Sequence, residues 1–153
     1  MGTRILITGG AGFIGSTYTR MLLGPEGAGG IEITVVDSLT YAGNRENLAG
    51  LGDDPRLTFV RGDVCDFKLM ESLAARHDEI VHFTAESHVD RSNESGTPFV
   101  TTNVLGTQTL LEAAVRHGID RQAPSLAELT ADNALPSYES CLAHARTHRR
   151  VTE

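Results

Sequence analysis

The sequence predicts an α/β fold built on a doubly wound parallel sheet, and three observations carry that expectation. Short apolar runs recur through the first eighty residues, at Ile5-Leu6-Ile7, Ile31–Val36, Leu57–Arg61 and Ile80-Val81. Parallel strands buried on both faces read this way. Segments of helical spacing separate the runs, and that alternation brings successive strands parallel. The first run leads straight into Gly9-Gly10-Ala11-Gly12-Phe13-Ile14-Gly15, a glycine turn that opens a helix. N–H groups at a helix start lack intrahelical partners and carry partial positive charge, so the turn is suited to an anion.

In chain order, Thr3–Thr8 is the first strand. Phe13–Leu23 follows as a helix with Ile14, Tyr18, Met21 and Leu22 on one face, stopped by Gly24-Pro25. Ile31–Val36 is the second strand, and Asp37–Asn44 is a loop at its carboxyl end, the edge where open parallel sheets bind ligands. Asn44–Leu48 suits a short helix and Gly50–Pro55 a turn cluster. Leu57–Arg61 is the third strand. Asp66 is placed to cap a second helix with Leu69, Met70, Leu73 and Ala74 as its apolar stripe. Glu79–Phe83 is the fourth strand, followed by a polar loop over Thr84–Gly96. A long helix then starts with Thr97 as N-cap and Pro98 as first helical residue, with Val100, Val104, Thr107, Leu111, Ala114 and Val115 lining one face, and ends at Gly118.

A fifth buried strand is expected next and its pattern is missing: Ile119-Asp120-Arg121-Gln122-Ala123-Pro124 is not an apolar run. Without it the fourth strand is an edge bearing apolar side chains, a hazard for aggregation. Ser125–Ala131 and Ser137–His148 have helical patterns, and Leu126, Leu129, Leu135 and Leu142 could cover that edge. The expectation is therefore a truncated Rossmann-type sheet of about four strands, order 3-2-1-4, over residues 1–118, with a helical or disordered tail at 119–153.

Two spacings overlap in the glycine turn. Gly10-x-Gly12-x-x-Gly15 fits the dinucleotide fingerprint, and Gly9-x-x-Gly12-x-x-Gly15 fits its short-chain dehydrogenase variant. Asp37 ends the second strand about 20 residues beyond the turn, where a carboxylate would meet an adenosine ribose. That placement favours NAD over NADP, because the carboxylate repels a 2′-phosphate.

The 153 residues carry a net charge of −7, which argues against nonspecific nucleic-acid or anionic-membrane binding. Two cysteines, Cys65 and Cys141, form no CxxC, so a disulfide framework or thiolate metal site is not expected and a cytoplasmic location is the default. No apolar stretch approaches the ~20 residues that span a bilayer. His144 and His148 are spaced i, i+4 but lack a third ligand, so no metal site is expected. Ser87, His88 and Asp90 match a catalytic triad by type, yet lie too close in one loop to take its geometry. Twelve arginines accompany one lysine, Lys68.

Five motifs together carry a resemblance: Gly-Gly-Ala-Gly-Phe-Ile-Gly-Ser (9–16), Asp-Ser-Leu-Thr-Tyr-Ala-Gly-Asn (37–44), Gly-Asp-Val-Cys-Asp (62–66), Ala-Glu-Ser-His-Val-Asp-Arg-Ser (85–92) and Thr-Asn-Val-Leu-Gly-Thr-Gln-Thr-Leu-Leu-Glu-Ala-Ala (102–114). Over residues 1 to about 118 the chain resembles the dTDP-glucose 4,6-dehydratases, NAD-dependent lyases of the extended short-chain dehydrogenase/reductase type that serve deoxysugar biosynthesis from nucleotide-sugars. Thr84 departs from the alanine common there. The resemblance implies that Gly9, Gly12 and Gly15 shape the NAD turn and that Phe13 and Ile14 offer N–H groups to the diphosphate. It puts Asp37 on the ribose, Ser38, Leu39 and Thr40 on the adenosine side, and Asp63 and Val64 beside the adenine. Phe83, Thr84, Ala85, Glu86 and Ser87 would stand near the nicotinamide half. Ser87 would also touch a dTDP-sugar, and Thr102 would reach the cofactor from the long helix. Asp63 equally suits a turn cap.

The catalytic half of that pattern is missing. The family uses Tyr-x-x-x-Lys as base and an Asp-Glu pair for elimination. The residues four after Tyr18, Tyr41 and Tyr138 are Leu22, Arg45 and Leu142, and no Thr-Asp-Glu occurs. The expectation is a truncated, inactive NAD-binding portion with no catalytic residues, as a fragment or with a replaced C-terminus. The alternative is a non-catalytic NAD or nucleotide-binding module or a complementing subunit. The helix that would complete the family's homodimer interface is absent too, so a native-like homodimer is not expected.

Overall fold

A computed structural model describes residues 2–25, 27, 29–87, 96–119 and, as backbone, 122–123. The elements run β1 (Thr3–Thr8), α1 (Phe13–Leu23), β2 (Ile31–Asp37), a 3-10 turn (Arg45–Leu48), β3 (Leu57–Arg61), α2 (Phe67–Ala74), β4 (Glu79–His82), α3 (Thr97–Phe99), a π-helical segment (Val100–Gly106), α4 (Thr107–Arg116) and β5 (Gln122–Ala123). The sheet is parallel in the order β3-β2-β1-β4-β5. Its first four strands stand in the order the sequence predicts. Register pairs Ile5 with Ile33 and Glu79, and Ile33 with Leu57, so the apolar runs align across the sheet.

Alternation sorts the side chains to two faces. Ile5, Ile7, Ile33, Val35 and Val81 pack with Tyr18, Leu22 and Leu23 of α1 and with Leu48. Leu6, Val36 and Ile80 point the other way, against Met70, Leu73 and Ala74 of α2, Leu110, Ala113 and Ala114 of α4, and Ile119. Three layers result, with β1 at the centre and Leu6 and Ile7 fully buried. Truncating either to alanine would cost about 2–5 kcal/mol.

Local chemistry explains the boundaries. The Asp66 side chain accepts from the Leu69 N–H and caps α2, and Asn44 accepts from the Glu46 N–H before the 3-10 turn. After α4, the Ile119 N–H bonds the Ala114 carbonyl and the Gly118 N–H bonds that of Val115, with Gly118 at φ 66°. This is a Schellman stop, and Ile119 folds back into the core behind it.

Four expectations need correction. The long helix buries a different face: Gly106, Thr109, Leu110, Ala113 and Ala114 are buried, while Val100, Val104, Leu111 and Val115 are 43–77% exposed. Apolar residues occupy both faces, and the small ones win because they let the helix approach α2 and Val64 closely. The π segment also changes the register between Val100 and Thr107, so a 3.6-residue count misplaces the face. Thr97 is not the cap; Gly96 holds that position without a side-chain bond. On α1, Ile14 and Met21 are only half-buried, and Thr19 and Leu23 share the inner face with Tyr18 and Leu22. β4 is not the edge, because Gln122 and Ala123 pair in parallel with Ile80 and Val81. Two residues suffice for that pairing through backbone bonds, which leave no hydrophobic signal. The helices at Ser125–Ala131 and Ser137–His148, the covering leucines and His144/His148 lie outside the described residues, as do His88 and Asp90.

Candidate functional site: a cleft at the carboxyl edge

The carboxyl ends of β1, β2 and β4 open into a cleft lined by Gly9, Gly12, Asp37, Ser38, Thr40, Ala42, Gly43, Gly62, Val64, Phe83, Thr84 and Ala85, with Val36 beneath. Its floor is the glycine turn. Gly9 sits at φ 69°, and a Cβ there would lie 2.6 Å from the Thr84 nitrogen. At Gly15 a Cβ would strike the Gly9 carbonyl. Both glycines are thus required by packing between the turn, β4 and α1. Gly12 differs. A Cβ there would meet only the Gly9 carbonyl, at 3.3 Å, and then the Ala42 carbonyl at 4.0 Å. Gly12 therefore fronts open cleft. It is also the N-cap of α1, which has no side-chain cap bond and no acidic residue in its first turn. The N–H groups of Phe13 and Ile14 at the start of α1 belong to the set that has no intrahelical acceptor.

Asp37 stands beside this floor, 8% exposed. One oxygen accepts the Ala11 N–H at 3.0 Å and the other the Leu39 N–H at 2.8 Å. Each oxygen keeps a lone pair, so the carboxylate is oriented and still able to accept from a ligand. Leu39 takes φ 56°, an unusual backbone for a leucine, and this bends the loop back onto Asp37. Ala11 anchors the same loop: its carbonyl accepts the Asn44 N–H at 3.1 Å and Asn47 Nδ2 at 2.9 Å.

The opposite wall is the loop after β4. Phe83 packs edge-on against Tyr18, with ring centroids 5.4 Å apart. Glu86 is held through its backbone: its N–H donates to Asn103 Oδ1 at 2.8 Å and its carbonyl accepts Asn103 Nδ2 at 3.0 Å. Behind it, the His82 ring lies between Thr8 Oγ1 (2.6 Å) and Thr107 Oγ1 (3.1 Å), and Thr107 Oγ1 donates to the Asn103 carbonyl. Burial pushes the His82 pKa down to about 4, so the ring is neutral.

Of the residues singled out from sequence, Gly9, Gly12, Asp37, Ser38, Thr40, Val64, Phe83, Thr84 and Ala85 line the cleft. Phe13, Ile14, Gly15, Leu39 and Glu86 adjoin it, with the Phe13 ring 85% exposed. Asp63 accepts the Cys65 N–H, which is the turn-cap geometry. Ser87 is exposed and Thr102 half-buried, and neither lines the cleft. Cys65 is half-buried beside the Thr101 carbonyl, and burial pushes its thiol pKa up, which leaves it a poor nucleophile. Ala11, Ala42, Gly43, Asn47, Gly62 and Asn103 were missed as site residues. All but Asn47 lie inside the five motifs, and for Gly43 and Gly62 a glycine beside a predicted ligand loop was the available signal. Among the described residues no group of His, Cys, Asp and Glu is placed to hold a metal ion, and no helix is long and apolar enough to cross a membrane.

A family model described as GDP-mannose 4,6 dehydratase matches residues 6–127, a span that holds every wall of the cleft and extends past Gly118 through β5. The chain belongs to this family. It is 50% identical over 139 residues to a dTDP-glucose 4,6-dehydratase of Streptomyces griseus, covering 91% of this chain and 41% of that protein. Among solved structures, it resembles a dTDP-glucose 4,6-dehydratase from Streptomyces venezuelae with NAD bound: TM-score 0.73 and 54% identity, over 78% of this chain and 38% of the other. A UDP-glucose 4-epimerase of Thermus thermophilus in complex with NAD aligns at TM-score 0.66 and 34% identity, over 78% and 36%. The chain spans about 40% of the length of the dehydratases it matches.

Proposed function

We propose that this chain is the NAD-binding portion of a dTDP-glucose 4,6-dehydratase-like lyase, and that it does not catalyse the reaction by itself. The observation that carries the cofactor reading is the pairing of an open, uncapped helix start at Gly12 with an oriented Asp37 across one cleft. The residues fit a dinucleotide. Phe13 and Ile14 would hold the diphosphate through backbone N–H groups, and Asp37 would accept from the adenosine ribose. Ser38, Leu39 and Thr40 would flank the adenosine, with Asp63 and Val64 at the adenine. Phe83 to Ser87 and Thr102 would border the nicotinamide half, with Ser87 toward the dTDP-sugar. NAD, when bound, supplies the hydride chemistry of conversion to a 4-keto-6-deoxy sugar.

The proton chemistry lacks its residues in these 153 positions. Among the described residues, the phenol of Tyr41 beside the cleft is bonded to Glu86, and Lys68 does not line the cleft. The second reading, a non-catalytic NAD-binding module or a complementing subunit, draws on the same lack of a Tyr-x-x-x-Lys pair. Calorimetric titration with NAD⁺ and NADP⁺, followed by incubation with dTDP-glucose, tests the proposal. Saturable binding that favours NAD⁺ and no 4-keto product are expected. Absence of binding overturns the cofactor reading, and product formation overturns the inactivity.

A further inference from the structure

The two walls of the cleft come from loops far apart in sequence, and each is anchored separately. The adenosine-side loop is fastened to the glycine turn through Ala11. The loop after β4 is fastened to the π segment through Asn103, whose amide pairs with both backbone groups of Glu86 as a neighbouring strand would. With its backbone fixed this way, Glu86 sends its carboxylate out to the other wall. The Tyr41 phenol donates to Glu86 Oε2 at 3.0 Å, across 45 positions of sequence. Tyr41 lies between Thr40 and Ala42, and Glu86 follows Ala85, and all three of those neighbours line the cleft.

We infer that Tyr41 and Glu86 form a positioning latch that joins the two walls and holds a dinucleotide across them. This rests on the reading of the cleft as a dinucleotide site. A ligand that fills only the adenosine end touches one wall and gains nothing from the joint. A ligand that spans both walls needs them at a set separation, and the latch sets it before binding. Pre-organisation of this kind lowers the ordering cost of the bound state. Neither side chain reacts; both act through the loops they tie.

The test uses the full chain. Tyr41 is 42% exposed, so Tyr41→Phe removes one hydroxyl and leaves the fold intact. Affinities for NAD⁺ and for ADP are measured on wild type, Tyr41→Phe, Glu86→Gln, Glu86→Ala and the Tyr41→Phe/Glu86→Ala double variant. Loss of one hydrogen bond predicts that Tyr41→Phe weakens NAD⁺ about three- to tenfold and leaves ADP unchanged. Glu86→Gln, whose amide oxygen still accepts from the phenol, binds NAD⁺ more tightly than Glu86→Ala. Where the phenol acts on the cofactor through Glu86, the double variant binds no worse than Glu86→Ala. Unchanged or tighter NAD⁺ binding by Tyr41→Phe overturns the latch, as does equal weakening of NAD⁺ and ADP or additive losses in the double variant. A wild-type chain that binds neither ligand overturns the cofactor reading and the latch with it.

Discussion

At the amino edge of the sheet a cleft of about 420 Å³ is lined by Arg4, Glu32, Thr34, Arg56, Thr58, Arg76 and His77 among others, whereas the carboxyl-edge cleft holds about 70 Å³. The larger one is richer in charge, yet its Arg4, Arg56, Arg76 and His77 already hold partners. Arg4 is bonded to Asp78 and Arg56 to Asp54, Arg76 Nε donates to the Ser72 carbonyl, and His77 bridges the Leu73 carbonyl and Thr34 Oγ1. At the carboxyl edge the helix start is uncapped, Gly12 fronts open space, and Asp37 is oriented with acceptor capacity left over. On the proposed reading, the ligand edge is marked by polar capacity held in place and left unspent. Neither cavity size nor charge count identifies it.

The contrast can be broken most severely at Gly15. Gly15→Val drives a side chain into the Gly9 carbonyl and Gly10. It should cost about 3 kcal/mol of stability and remove cofactor binding with it. Chemical denaturation checks this, and a wild-type midpoint would show that the turn is not packed as described.

The two edges also differ in how hard they press on a histidine. His82, at the carboxyl end of β4, is lowered to about 4 by burial, and half-buried His77 at the amino edge is lowered too, first by burial. Between pH 6.5 and about 4 the unfolded chain binds a proton at His82 that the folded chain refuses. Stability from this group is therefore full above pH 6.5 and falls as pH drops toward 4, by about 3 kcal/mol in all. His82→Gln should flatten that part of the stability–pH curve, and a curve unchanged by the substitution would contradict the assignment.

Asp37→Ala removes a charged acceptor from the ligand edge. A loss of about ten- to a hundredfold in NAD⁺ affinity is expected, together with loss of the preference over NADP⁺. Competition titrations read both. Arg4→Ala at the other edge is the matched control. Its ion pair with Asp78 is exposed and screened, so NAD⁺ affinity and the thermal midpoint should hardly move. A large drop in affinity there would erase the distinction between the edges.

The sheet and its first two helices were legible because parallel strands read as apolar runs and Asp66 marks its helix start. The floor of the cleft was legible from context: the glycine turn stands between an apolar run and a helical pattern, and Asp37 closes the next strand. The inner face of α4 was not legible, because Val100, Val104, Leu111 and Val115 form as good a stripe as the small residues that are buried, and the π segment shifts their register. β5 was missed because it pairs through its backbone. The contacts of Asn103 and Tyr41 with Glu86 join residues 17 and 45 positions apart, and no local pattern encodes them.

We propose that the smaller, carboxyl-edge cleft is the cofactor site. Amide chemical shifts of ¹⁵N-labelled chain, followed through an NAD⁺ titration, test it most directly. Saturable shifts are expected at Gly9–Gly15, Asp37–Gly43 and Phe83–Glu86, with Arg4, Thr34, Arg56 and His77 unmoved. Shifts centred on the amino edge, or none at any residue, would contradict it.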